Sequence, residues 1–592
     1  MRITQLRAVD FRGWHQLDLR PRGHVLAIGE PRSGRSDLVA ALRRVLDPRS
    51  TRSQPTTADI RQTLAAAAPG STSNTVLAPY AEVAITLADL PIDLEHEADG
   101  ALEPLLADGT ADLSGSASPG ASLGLRLAYR VSYDAVTDSI EHRVFYPILS
   151  DPSADKYVRV PAVVRSLLPV VFLDSARPLQ LRAEGLLRRL VSDNDPVSSA
   201  TALQTLERDV VAAASALSAN SAIQGVLDAL VADTGPARRI GDGPVAGTDI
   251  TFLPEDGSLA GLLRALQPVL HLDGTGALPL ESHGSTTTAV LSAAEALLVA
   301  SSTSGAVIVG DDLGESLDGP STEHLANALR GAAAQVWITT RRADAARAFE
   351  ATELVRLTRH TGARQVHQVA PPADRKEAGL HRHIQAQLLP ALTATTVAVS
   401  EGQHDLSALS AVDRRRMTPD LPLAAHGIRL ITADTGSGGG TGQIPQVAKL
   451  AHQLGYRVVA LVDGDPAKKA GTVLADIENE CDALVRLPDN MAIERALLAG
   501  ATATQVRAAA AVFTDYGQPD PTLGKPDENV SNAVMKLLHS KGLHEQFLTA
   551  LVEETGVLPP VVVNALTAVA LCGHPTYALQ KRIDVIDPTA AV

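Results

Sequence analysis

Apolar and polar residues alternate over Ile3–Asp10 and over Trp14–Leu19, which predicts two strands of a hairpin with the bend at Phe11-Arg12-Gly13. Gly23–Gly29 is a near-continuous apolar run, the pattern of a buried strand, and Asp37–Leu46 spaces its apolar residues as a helix does. Residues 50–130 are rich in Ala, Ser, Gly and Pro around strand-like Val83–Leu87 and Leu125–Val131, so a sheet decorated with loops is expected. Leu186–Leu230 is helix-patterned throughout, which fits an inserted dimerisation arm or ordinary core helices. A helix at Thr288–Ala300 and strands at Ala306–Val309 and Gln335–Thr339 follow. Pro371-Pro372-Ala373-Asp374-Arg375-Lys376 has linker character and marks the expected domain boundary. From Thr396 to about Leu487 strands and helices alternate, as in a compact parallel α/β domain. The remainder is Ala- and Leu-rich and predicted helical, with a turn at Gly517–Asp527.

These elements make an α/β multidomain chain, and its 592 residues suffice for several cores. The longest weakly charged run, Thr286–Gly310, contains Glu295 and many hydroxyl residues, so it reads as a buried helix and strand and no membrane span is expected. Met1-Arg2-Ile3-Thr4 enters a strand without a basic apolar leader, and Cys481 and Cys572 are too few for a disulfide framework or a cysteine zinc site; a cytoplasmic setting is expected. The net charge of −15 disfavours a surface coated in nucleic acid but leaves room for a local basic groove. Only nine of the 52 basic residues are lysine, so a lysine near a candidate site carries more weight.

Between the apolar run ending at Gly29 and the helix beginning near Ser36 lies Gly29-Glu30-Pro31-Arg32-Ser33-Gly34-Arg35-Ser36. Strand, Gly-rich loop and helix form a phosphate cradle in which loop amides and the helix N-terminus face the anion and a serine meets Mg²⁺. Arg35 stands where lysine is usual; it keeps the charge but presents a planar fork instead of a compact ammonium. Ala306–Gly310 runs into Asp311 and Asp312, the acid pair that a metal ligand and a water-orienting carboxylate require, followed by Glu315. Ser282-His283-Gly284-Ser285 precedes a helix upstream, and Ile338-Thr339-Thr340 leads to Arg341-Arg342. His283 has no companion at metal-binding spacing. In this order the pieces, with Val171–Arg177 as a mid-domain strand, resemble the RecF/SMC-like ATPase domain of the ABC type. The resemblance implies ATP held by Gly29, Gly34, Arg35, Ser36, Asp311 and Asp312. It also implies that Ser282 and Gly284 of a second protomer complete the site, hence a homodimer or a higher assembly. Arg35 and Arg341, the latter in place of the family's switch histidine, leave hydrolysis open.

The C-terminal half carries the chemistry. Val397–Ser400 runs into Glu401-Gly402, and Val458–Val462 runs into Asp463-Gly464-Asp465, so both acidic sites follow strand ends where open α/β sheets place ligands. Asp463 and Asp465, at i and i+2, are positioned to share one cation. Glu401 can ligate that cation or act as general base, and Asp405, one helical turn on, can hold a second. Such oxygen donors suit Mg²⁺ or Mn²⁺, and two ions about 4 Å apart can clamp both oxygens of a phosphodiester displacement. This arrangement resembles a Toprim domain. An ABC-type ATPase followed by Toprim resembles the OLD (overcoming lysogenization defect) nucleases over nearly the whole chain.

The resemblance implies an ATPase domain over 1–375 with a helical insertion at 186–235, a linker helix at 376–395, Toprim over 396–500, and a helical region over 501–592 completing the nuclease site. It further implies Glu494 as a later metal ligand, Lys541 as a lysine stabilising the transition-state phosphate, DNA as substrate and a role in defence against phage; a helicase-like partner protein stays open. On the residues alone, Glu494 fits a helix-face salt bridge equally well, and Lys541 a solvated helix end. Gly436–Gly442 reads as a flexible loop or a close approach to phosphates. Arg414-Arg415-Arg416 and Lys468-Lys469 read as solvated surface or as a track for DNA phosphates. One alternative function is a nucleotide-binding DNA clamp or defence scaffold without cleavage. A topoisomerase or primase is weaker: Tyr516 and Tyr577 have no gate fold around them, and the cysteines for a zinc module are missing.

Overall fold

The computed structural model describes residues 1–51, 56–64, 75–118, 120–173, 178–181, 185–231, 248, 261–263, 266–270, 278–360, 362–435, 440–464, 471–574 and 581–588. They form two compact units, one of 1–168, 311–315 and 335–592, the other of 169–310 and 316–334.

In the first unit the predicted hairpin is present as Arg2–Phe11 and Trp14–Leu19. Tyr80–Ala88 and Leu123–Asp134 extend it into an antiparallel sheet. Val25–Gly29 lies elsewhere, parallel to both Gln335–Thr339 and Leu354–His360, and is buried at every position, as its unbroken apolar run requires. Ala363–Gln368 closes this sheet as an antiparallel hairpin. The helix Arg35–Leu46 buries Leu38, Val39, Leu42, Val45 and Leu46, the stripe expected from its spacing.

A third sheet in the same unit is wholly parallel, in the order Ile428–Thr432, Thr396–Ser400, Arg457–Val462, Ala483–Arg486, Arg582–Asp584. Alternate residues Ala398, Val459, Leu461 and Val485 share one core with residues of the helices Gln403–Asp413, Ile493–Leu498 and Pro560–Gly573. The fifth strand is a departure from the expected helical C-terminal region. Helices occupy it between Ala503 and Gly573, with Phe513 stacked on Phe547 in a second core, before 582–584 returns to the sheet edge.

Packing does not thin at the expected boundary near 375. Asp374 caps the helix Arg375–Leu388 by accepting from the Glu377 amide, and Gln385 on that helix donates to the carbonyls of Ala346 and Phe349. The second unit holds the helices Leu186–Asn194, Pro196–Ser218 and Ser221–Val231, as the pattern predicted, and the parallel strands Val170–Phe172 and Val307–Gly310. Among the described residues no single helix is long and apolar enough to cross a membrane.

Candidate functional site

Two sites form within the first unit. At the phosphate loop, Gly29 sits at φ +136°, and a Cβ there would strike the backbone of Leu357 on the neighbouring strand. Gly34 (φ 97°) opens the helix Arg35–Leu46, so both glycines of the motif are required by the backbone. Glu30, Arg32, Ser33, Arg35, Ser36 and Arg364 line the depression above them. The cations are already engaged: the Arg35 guanidinium folds back to donate to the Gly29 carbonyl, and Arg364 pairs with Asp37. Burial depresses the Arg35 pKa, against the opposing charge of Asp312.

Asp311 and Asp312 face this loop. Thr339 donates its hydroxyl to Asp311 (2.5 Å) and accepts from the Asp312 amide (2.8 Å). Burial first, and then the Asp311 charge, push the Asp312 carboxyl above its ordinary range, while Arg341 and Arg35 pull it back. Arg341 spans Glu315 (2.8 Å) and Asp312 (3.6 Å). The structure thus brings together Arg35, Asp311, Asp312, Glu315 and Arg341. Ser282 and Gly284 lie in the second unit, where Gly284 caps the helix Ser285–Ser302 with open space about its Cα. The segment Asp174–Arg177 lies outside the described residues.

The acidic site stands at the carboxyl ends of two paired parallel strands. Glu401 Oε1 accepts from the Asp463 amide (2.9 Å), and Oε2 accepts from the Thr441 hydroxyl (2.8 Å). The Asp463-Gly464 turn is pinned by hydrogen bonds between Gly464 and both Met491 and Asn490. A Cβ on Gly464 would run into the Pro488 carbonyl, so only glycine fits. Asp405 returns to Gly402, accepting from its amide (3.0 Å) at the start of the helix Gln403–Asp413, so it caps that helix beside Glu401. Asp465 and Lys468-Lys469 lie outside the described residues, as does 436–439 of the glycine loop. Among the described residues no group of three His, Cys, Asp or Glu side chains is placed to hold a metal ion. Glu401, Asp405 and Asp463 are nevertheless oxygen donors of the kind that a hard divalent ion takes.

Glu494 does not turn to these acids in any contact seen here. It is buried, 10% exposed, and lies 3.2 Å from His539 Nδ1. His404 lies 5.1 Å from the His539 ring and 5.6 Å from the His544 ring, so three histidines adjoin the expected site. Burial lowers the His544 pKa, opposed by Glu494 and reinforced by His404 and His539. Lys541 ends the helix Asp527–Lys541, exposed, two residues after His539. The only sequence signal for this cluster was the histidine inside Glu401–Asp405 and the two flanking Lys541.

The arginine run is not a free track. Arg416 is buried against Asp413 and Thr567, Arg414 pairs with Glu545 (2.8 Å), and Arg415 donates to Thr549 (2.6 Å).

No protein-family model matches this chain, and no curated protein matches its sequence. Among the solved structures that it matches are SMC heads. The Smc head bound to the C-terminal winged-helix domain of ScpA is 12% identical, with 62% of this chain and 98% of that one covered and a TM-score of 0.34. The Pyrococcus furiosus Smc head with an extended coiled coil, bound to the C-terminal domain of ScpA, is 13% identical over 62% of this chain and 96% of that one, with a TM-score of 0.32. The SMC head domain from Thermotoga maritima is 12% identical over 63% and 100%, with a TM-score of 0.27. At such TM-scores the functional reading rests on the geometry of the two sites.

Proposed function

We propose that this chain is a metal-dependent DNA endonuclease or nickase of the OLD type, controlled by ATP bound at the phosphate loop and working as a homodimer or higher assembly. The observation that supports it most is the placing of Glu401 against Asp463 at adjacent strand ends, with Asp405 one turn away. In this reading Glu401, Asp405, Asp463 and Asp465 hold Mg²⁺ or Mn²⁺. A bound divalent cation there supplies Lewis acidity toward the phosphodiester and lowers the pKa of water. Glu401, its two oxygens oriented by the Asp463 amide and Thr441, is placed to take a proton from the attacking water. Lys541, exposed at its helix end, offers a mobile cation to the phosphate oxygens. Gly464 is held by hydrogen bonds with Met491 and Asn490, which fixes the backbone of the turn that carries Asp463.

At the loop, Arg32, Arg35 and Arg364 present cations to a triphosphate, and Glu315 is the carboxylate placed to orient water once Arg341 releases it. The test is supercoiled plasmid incubated with Mg²⁺, Mn²⁺ or Ca²⁺, with and without ATP. Metal-dependent nicking that responds to ATP is expected.

A second reading, a nucleotide-binding DNA clamp without cleavage, is favoured by Arg35 turned onto Gly29 and by Arg341 locked on Glu315. It predicts retained DNA and nucleotide binding with no Mn²⁺ bound at Glu401 and Asp463, which Mn²⁺ paramagnetic resonance measures directly.

A further inference from the structure

Arg356 lies on the strand Leu354–His360 beside Val25–Gly29, and its side chain is 0% exposed. A buried guanidinium is costly unless its donors are met. Here one amino group donates to the Leu454 carbonyl (2.9 Å) and the other to the Ala394 carbonyl (2.5 Å), the group lies 3.7 Å from the Tyr456 ring centroid, and Nε alone finds no partner among the described residues. Tyr456 in turn donates its hydroxyl to Ala391 (3.1 Å). Among the described residues the carboxylate paired with Arg356 is Glu30, at 3.5 Å.

The positions of these partners matter. Ala394 precedes the strand Thr396–Ser400 that delivers Glu401, and Leu454 precedes the strand Arg457–Val462 that delivers Asp463. Arg356 therefore grips the beginnings of both strands whose ends carry the candidate metal ligands. Glu30 follows Gly29 in the phosphate loop, where its amide donates to Leu357 (3.2 Å) and its carboxylate also accepts from the Arg359 amide (3.2 Å). A triphosphate arriving at this loop places negative charge beside Glu30, and like charges repel strongly where water is scarce. The response open to Glu30 is a changed engagement with Arg356. His367 is packed against Gly455, and the Ala370 amide donates to Gln453 (2.8 Å), so the surrounding contact is tight enough to transmit a displacement.

We propose that Glu30 and Arg356 couple the nucleotide loop to the acidic site, so that a nucleoside triphosphate at the loop alters the strand starts at 394–396 and 454–457 and through them the setting of Glu401 and Asp463. Both are positioning residues. The inference rests on the loop being a nucleotide site, as proposed above, but not on DNA cleavage. Coupling of this kind is reciprocal and amounts to about fivefold or more.

The experiment is hydrogen–deuterium exchange on the full chain, with and without saturating ATPγS and Mg²⁺, for wild type, Glu30→Gln and Arg356→Lys. Saturation of each protein is set from its own titration with a fluorescent ATP analogue, and melting temperatures confirm folding. In wild type, nucleotide is expected to change exchange in 391–400 and 454–462 by about fivefold or more. Arg356→Lys is expected to keep the response at the loop itself and lose it in those two segments; Glu30→Gln, which alters the loop lining, is expected to lose the response in those two segments at its own saturating nucleotide. Loop protection in wild type without a response at 391–400 and 454–462 overturns the proposal, as does a wild-type-like response in a folded Glu30→Gln or Arg356→Lys protein. Nuclease failure with the coupled exchange intact would remove the cleavage reading and leave this inference standing.

Discussion

Around the phosphate loop the charged side chains satisfy one another: Arg364 pairs with Asp37, Arg341 with Glu315, and Arg35 folds onto the loop's own Gly29 carbonyl. At the acidic strand ends the carboxylates are met differently, Glu401 by the Asp463 amide and the Thr441 hydroxyl, Asp405 by the Gly402 amide. Amide and hydroxyl donors orient a carboxylate without cancelling its charge, whereas guanidinium pairs must open before the same cations can serve a phosphate. In the proposed function the acidic site would take its cation on carboxylates that amide and hydroxyl donors orient. The phosphate loop would first have to release Arg35 from Gly29 and Arg364 from Asp37, which would suit it to control.

The largest expected effect tests the platform of the acidic site. Leu566 is fully buried in the core shared by the parallel sheet and the helix Pro560–Gly573, so Leu566→Ala should cost about 2–5 kcal/mol in urea unfolding. A cost below about 1 kcal/mol would mean that the sheet is not the rigid support the comparison needs. Next come two glycines. Gly464→Ala drives a Cβ into the Pro488 carbonyl and Gly29→Ala into Leu357, each straining the backbone by about 1–3 kcal/mol. The first should lower plasmid nicking tenfold or more, on the order of 1.4 kcal/mol, with nucleotide affinity kept; the second should do the reverse. Loss of both activities in either variant would break the separation of the two sites.

A smaller effect is expected at Arg35. Arg35→Lys removes the donor folded onto Gly29 and should tighten binding of a fluorescent ATP analogue by about threefold to tenfold, the net worth of one such hydrogen bond. Unchanged or weaker binding would show that the guanidinium does not hold the loop back. The smallest concerns Cys481, whose thiol is pushed up to about 12 from an ordinary 9, first by burial and then by Asp482 and Glu480. The fold favours the neutral thiol, so this contribution is intact below pH 9 and is lost as pH rises toward about 12. Native Cys481 should thus resist alkylation at pH 8, whereas rapid modification would place it outside the core.

The strands flanking both sites were legible because buried parallel strands read as unbroken β-branched runs, and Val397–Ser400 and Val458–Val462 end at acids. The loop glycines were equally legible, since their backbone angles admit little else. Arg356 was not, because a single arginine in a strand carries no sign of burial; only the assembled fold shows carbonyls from residues 394 and 454 around it. The pairing of Glu494 with His539 and the grouping of His404, His539 and His544 were hidden for the same reason, being gathered from four separate helices. The strand Arg582–Asp584 escaped notice because three residues at a sheet edge, none of them buried, are too short to show a period.

The most direct measurement is single-turnover nicking of supercoiled plasmid in Mn²⁺ by the wild-type chain beside Asp463→Ala, with folding of both checked by melting temperature. The account predicts nicking by wild type that EDTA abolishes and that falls about a hundredfold or more, ~2.7 kcal/mol, in Asp463→Ala. Equal cleavage by the two proteins, or none by wild type with ATP and either metal, would contradict it.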